Sequence, residues 1–230
     1  MSRHIGIIAC SAEGAALCYR TIAGEAHDLM GKHRHPEVTM HTHSLDDYMT
    51  FIRAGDWGGV ANLMVSSAKK AAQAGADLLI CPDNTIHIAY DEAKSRVPQE
   101  WLHIAEVVAT EAARRGFKKL GVLGTKYTMD GPVYADKLGA HGIEAVMPDP
   151  LERTRINLII FDELVMARFS DEARDHFVRA IDALAARGCD AVVLGCTEIP
   201  LLIDEADSPL PTLDSTRLLA RAALHRAAGP

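Results

Sequence analysis

The chain predicts an α/β fold of two pseudo-symmetric domains, each built on a parallel sheet, with an active site in the cleft between them. Three observations carry that expectation. Short apolar runs of about five residues alternate with stretches of helical periodicity, the pattern of parallel α/β units. Gly75–His87 (Gly-Ala-Asp-Leu-Leu-Ile-Cys-Pro-Asp-Asn-Thr-Ile-His) lies without a gap over Gly188–Pro200 (Gly-Cys-Asp-Ala-Val-Val-Leu-Gly-Cys-Thr-Glu-Ile-Pro), 113 residues further on. Ile5–Ala9 lies over Leu120–Gly124, 115 residues further on. The first strand and the site-bearing strand of each half therefore match.

Length and charge bound the answer. A chain of 230 residues buries a full core as one domain or two small ones. A net charge of −7 leaves no basic stripe to neutralise phosphates and excludes nucleic-acid binding as the main function. No apolar run approaches the roughly 18 residues of a membrane span. The chain enters a strand at Ile5, after too short an apolar run for a signal peptide. Five cysteines, at 10, 18, 81, 189 and 196, have no framework spacing and are odd in number, which reads as reduced thiols in a cytoplasmic protein.

In order, Ile5–Ala9 is a strand that opens into a small-residue turn, Cys10-Ser11-Ala12-Glu13-Gly14, before a helix over Ala15–Leu29. Strand, turn, helix exposes backbone N–H groups to an anion, but the three-glycine dinucleotide spacing is missing. Glu37–His43 alternates as a strand. His33, His35, His41 and His43 cluster there without a carboxylate or cysteine spaced to complete a metal site, so no metal is expected. Asp46–Arg53 is a short helix, a long helix runs to Ala74, and Asp77–Cys81 is a strand. Pro98–Arg115 reads as a helix with Pro98 in its first turn and Gly116 as its stop. Lys119–Leu123 is a strand leading into Gly124-Thr125-Lys126-Tyr127-Thr128. Asp130–His141 (helix), Ile143–Met147 (strand), Leu151–Arg168 and Ser170–Arg187 (helices, Ser170 as cap) follow. Ala191–Leu194 is a buried strand, Pro200–Leu202 a short helix, Leu210–Leu213 an edge strand and Asp214–Ala228 a closing helix. The first domain then comprises residues 1–97 with 208–230, and the second 98–207.

The repeat sets Asp83 against Cys196, each at a strand end before a polar turn. Two proton carriers related by a pseudo-twofold can take a proton from one face of a carbon acid and return it to the other. Asn84, Thr85, Thr125, Thr128 and Thr197 supply donors beside helix starts, a cradle for a carboxylate and for the enediolate charge of a deprotonated Cα. Ser11 occupies the equivalent turn after the first strand. A helix starting after Cys196 is expected to favour its thiolate. Ordinary Asp and Cys values differ by about 4.6 units, roughly 6 kcal/mol, so the two environments have to narrow that gap. Cys81, two residues before Asp83, faces the same side of an extended strand, but Pro82 and the gapless repeat favour Asp83.

At these residues the chain resembles the cofactor-independent aspartate/glutamate racemase superfamily over nearly its whole length. Gly195-Cys196-Thr197-Glu198-Ile199-Pro200 is similar to that family's second catalytic motif, and Gly124-Thr125-Lys126-Tyr127-Thr128-Met129 to its Gly-Thr-x-x-Thr carboxylate-binding turn. Asp83-Asn84-Thr85-Ile86-His87 falls where the family has Cys-Asn-Thr-x-His, and Asp162-Glu163-Leu164 with the helix after Ser170 follows the aspartate-racemase branch. The first catalytic cysteine is thus replaced by Asp83, and the N-terminal turn lacks the family's Gly- and Pro-containing version. The resemblance implies a PLP-independent isomerase without cofactor, a homodimer acting on a small carboxylate. Asp83 and Cys196 would be catalytic, and Ser11, Asn84, Thr85, Thr125, Thr128 and Thr197 would bind substrate. Arg53 and Arg168 are the candidates for a distal carboxylate. The alternatives are a malonate-type decarboxylase with Cys196 as proton donor and a catalytically silent carboxylate-binding homologue.

Overall fold

The computed structural model describes residues 2–229, which divide into two compact units. The first ends at Ile104 and takes up the chain again from Thr216; the second spans Ala105–Ser215.

In the first unit β1 (Ile5–Ala9) leads into α1 (Ala12–Met30), β2 (Val38–Thr42), α2 (Leu45–Ala54), α3 (Trp57–Gln73) and β3 (Leu78–Ile80). A 3-10 turn (Thr85–Ala89), α4 (Tyr90–Ser95) and β4 (Glu100–Trp101) follow. All pairings are parallel, in the order β2-β1-β3-β4. The central strands β1 and β3 are buried along their whole length, which is why they read as uninterrupted apolar runs. Edge strand β2 is only partly covered, and it alternates in sequence.

The second unit repeats the plan. After α5 (Ile104–Arg115) come β5 (Lys119–Gly124), α6 (Lys126–Asp130), α7 (Pro132–Ala140), β6 (Glu144–Val146) and α8 (Pro150–Asp162). A 3-10 turn (Leu164–Met166), α9 (Asp171–Ala186), β7 (Ala191–Gly195), α10 (Ile199–Leu202) and β8 (Thr212–Asp214) complete it. The parallel order is β6-β5-β7-β8, so β5 to β8 stand for β1 to β4 strand by strand. Its core joins Ile156, Ile160, Phe177, Ile181 and Leu184 of α8 and α9 to Val192 and Leu194 of β7. α11 (Ser215–Ala228) returns to the first unit. There the Arg3 N–H donates to the Ala227 carbonyl (2.9 Å), Arg221 grips both oxygens of Glu25 (2.7 and 2.8 Å), and Leu219, Ala223 and Leu224 are buried.

Four sequence expectations change. The helix expected over Pro98–Arg115 begins only at Ile104, because Glu100 and Trp101 add a strand to β3 and the Leu102 N–H donates to the Leu79 carbonyl (3.0 Å). β8 likewise pairs with β7, so the division between units falls one strand further along the chain at each crossing. The helix expected over Asp130–His141 is found as α7, but a separate short helix, α6, precedes it where a turn was expected after Gly124. Thr125 caps α6, the backbone is extended at Gly131, and Pro132 starts α7. The helix expected over Leu151–Arg168 stops at Asp162, and the chain turns through a left-handed Ala167 (φ 54°).

Candidate active site

In each unit the chain leaves the first strand on one side of the sheet and returns on the other, so strand order reverses between β1 and β3 and between β5 and β7. Ligands of open α/β sheets bind beyond the carboxyl ends of the strands at such points. Ser11 follows β1 and Asp83 follows β3; Thr125 follows β5 and Cys196 follows β7. The structure thus collects the candidates into one loop cluster per unit, Ser11 with Asp83, Asn84 and Thr85, and Thr125 and Thr128 with Cys196 and Thr197.

In the first unit Ser11 caps α1, its hydroxyl accepting the Gly14 N–H (3.3 Å). Asp83 is half-buried, and its Oδ1 accepts the Ile86 N–H (3.0 Å), which fixes the turn into the 3-10 segment. Asn84 and Thr85 are buried beside it. His87 holds the turn from below. Its Nδ1–H donates to the Asp83 carbonyl (2.6 Å) and its Nε2 accepts the Ile104 N–H (3.2 Å), a pair of bonds that only the neutral Nδ1 tautomer makes. Cys81 is fully buried; burial, then the charge of Asp83, holds its thiol well above the usual range. That leaves Asp83, not Cys81, as the more accessible acid of this loop.

Tyr48 of α2 was not foreseen. Its hydroxyl is fully buried, and burial followed by Cys81, Cys10 and Asp83 keeps the phenol protonated. The neighbouring His41 is engaged: its Nε2 accepts from Lys70 Nζ and its Nδ1–H donates to Ser67 Oγ (both 2.9 Å). Burial, then Lys70, lowers the basicity of His41 and His43. No group of three or more metal-ligating side chains occurs among the described residues.

In the second unit two glycines let the strand ends close. A Cβ at Gly124 would lie 2.7 Å from the Gly195 carbonyl oxygen, and one at Gly195 would lie 2.7 Å from that of Leu123. Thr128 packs over both positions, which brings its side chain beside the start of the Cys196 turn. Thr125 caps α6 by accepting the Thr128 N–H (3.3 Å), and the two hydroxyls are 3.2 Å apart. Cys196 is 8 % exposed, and its thiol donates to Glu198 Oε2 at 3.0 Å. The Thr197 hydroxyl donates to the same oxygen (2.9 Å), while Glu198 Oε1 is buried without a partner. A buried acceptor left unmatched costs on the order of 1–3 kcal/mol.

The expected thiolate-favouring helix is therefore corrected. α10 has only four residues, and the S–H bond of Cys196 goes to the Glu198 carboxylate. Glu198 was quoted within its motif but given no role; its signal was its position two residues after the thiol. Arg53, in the last turn of α2, and Arg168, after Ala167, are both exposed and make no side-chain hydrogen bond among the described residues.

A duplicated parallel fold, with one ionisable side chain and a set of hydroxyl donors at each switch point, is the frame of an isomerase acting on amino acids. The chain belongs to the Asp/Glu/hydantoin racemase family, whose model matches residues 5–223. Among curated proteins it is similar to the broad-specificity amino-acid racemase RacX of Bacillus subtilis (strain 168), with 26% identity over 161 residues, 69% of this chain and 68% of the relative. Among solved structures, an aspartate racemase homologue from Pyrococcus horikoshii OT3 shares 29% identity with a TM-score of 0.84, all of both chains being covered. A Yersinia pestis structure carrying a provisional Asp/Glu racemase designation shares 31% identity with a TM-score of 0.89, covering 99% of this chain and 100% of that one.

Proposed function

We propose that the protein racemises a small acidic amino acid without a cofactor, Asp83 and Cys196 being the two proton carriers. The observation that supports this most is their equivalence: each ends the third strand of its own sheet, at the switch point, in a gapless repeat. In this reading Thr125, Thr128 and Thr197 hold the substrate carboxylate, with Ser11, Asn84 and Thr85 as donors from the other loop cluster. Arg53 and Arg168 read the side-chain carboxylate. Asp83 takes the Cα proton, the C–H electron pair delocalises into the carboxylate as an enediolate, and the Cys196 thiol delivers a proton to the opposite face. The bond from the Cys196 thiol to Glu198 suits that donor role.

The same reading makes the protein a cytoplasmic homodimer; its five cysteines are buried and none is in a disulfide, which suits a reducing compartment. No helix among the described residues is long and apolar enough to cross a membrane.

The test follows the Cα–H resonance of L- and D-amino acids in D2O, aspartate and glutamate first, with chiral analysis of the product. Exchange with inversion is expected, and both Asp83→Asn and Cys196→Ser should abolish it. Release of CO2 from a malonate-type acid without exchange on any amino acid would favour the decarboxylase instead. A fully active Asp83→Asn variant would remove Asp83 from the mechanism.

A further inference from the structure

We propose that Glu198 is the positioning residue of Cys196, its buried carboxylate holding the thiol in the protonated, proton-donating form and aiming its S–H bond. The inference rests on Cys196 being a proton carrier, as proposed above. Two observations point to it. Sγ lies 3.0 Å from Glu198 Oε2, so the thiol has a charged acceptor at hydrogen-bond distance. Glu198 is itself 2 % exposed, with Oε1 unmatched, an unfavourable way to brace a turn that an uncharged side chain could brace as well. A carboxylate at this distance disfavours a second negative charge on sulfur, because both would share one poorly solvated site.

The consequence concerns the resting enzyme. With Cys196 as thiol and Asp83 as carboxylate, free enzyme accepts directly the enantiomer whose Cα–H faces Asp83. The other hand requires the opposite form, thiolate and protonated Asp83. Equilibrium between enantiomers forces equal kcat/KM for the two, but kcat and KM individually then differ between them. Replacing the carboxylate should narrow that difference.

Three neighbouring elements bring further ionisable groups towards this turn. Tyr134 of α7 faces Gly195 and is kept protonated by burial. Asp214 ends β8 opposite Leu194, and Arg174 of α9 donates through Nε to the Leu202 carbonyl (3.1 Å). None of them is altered by a change at position 198, so they form a constant background.

The experiment measures iodoacetamide alkylation of Cys196 against pH, quantified by mass spectrometry of the Cys196 peptide, in the wild type, Glu198→Gln and Glu198→Asp. The glutamine amide can donate to a thiolate, so E198Q should move the reactivity midpoint down by at least one pH unit. At pH 7 that is about tenfold faster alkylation. E198D should return the midpoint towards the wild type. Mere loosening of the turn would change the limiting rate at high pH and leave the midpoint in place. Coincident midpoints for all three proteins overturn the proposal. The readout needs no turnover: a shifted midpoint in a protein that inverts no amino acid would keep Glu198 in its role and reject the racemase reading alone.

Discussion

Gly195→Ala puts the closure of β5 on β7 to a quantitative test. The added methyl would sit 2.7 Å from the Leu123 carbonyl oxygen and 3.3 Å from Tyr134 Cε2. Carbon–oxygen contacts normally begin near 3.3 Å, so roughly 0.6 Å must be found. The Leu123 oxygen cannot swing aside, since Leu123 pairs with Leu194 and Gly124 with Gly195 in the ladder. The strand ends must therefore part, at an overpacking cost of about 2 kcal/mol. For a chain of this size that lowers Tm by roughly 4–8 °C. Cys196 is the next residue and moves with the strand end; if it carries the proton as proposed, a shift of about half an ångström should lower kcat about tenfold. Thermal melts by circular dichroism and the D2O exchange assay read the two effects. Gly24→Ala is the control, being exposed in mid-α1 with open space around its Cβ position, and should raise stability by roughly 0.5–1 kcal/mol. A Gly195→Ala protein with wild-type Tm and wild-type turnover would refute the close-approach argument.

Other expectations follow from single contacts. Glu111, gripped by Arg114 and then Arg115, has its carboxyl lowered from the ordinary 4.5 to about 2. Its folded value lies below its unfolded one, so the stabilisation is present above pH 4.5 and lost as pH falls towards 2. Arg114 is largely solvent-facing, so the contribution is about 1 kcal/mol, and Glu111→Gln should flatten that part of the stability–pH curve by this amount. Ser170→Ala removes the cap to the Ala173 N–H (3.1 Å) and the bond to Glu163 (2.8 Å); about 1 kcal/mol should be lost, read as a Tm drop of about 2–4 °C. His87→Ala strands the Asp83 carbonyl and the Ile104 N–H. It should cost about 2 kcal/mol or more in urea unfolding and lower kcat by about tenfold as the Asp83 turn loosens.

The sequence revealed the buried strands best. β1 was read to the residue and β7 to within one, because central parallel strands are continuous apolar runs with Gly or small-residue ends. β4 escaped notice because two residues carry no periodicity; only the open edge of β3 makes Glu100-Trp101 a strand. α6 escaped notice because its five residues span little more than one turn, too short to show a helical period. At the site, the internal repeat exposed the positions of Asp83 and Cys196, since a duplication is visible without coordinates. The attachment of the thiol to Glu198 and the bracing of Asp83 by His87 depend on side-chain direction, which spacing does not encode. Tyr48 left no trace, as a buried aromatic on a helix reads simply as core.

The return of α11 to the first unit bears on how the chain is made. The second unit is a single contiguous segment and can consolidate on the ribosome as soon as Ser215 has emerged. The first, although synthesised earlier, waits for α11 to cover its apolar face and bring Ala227 to Arg3. A stop codon shortly after Ser215 should therefore yield a nascent protein whose later half is sound and whose earlier half is left sticky.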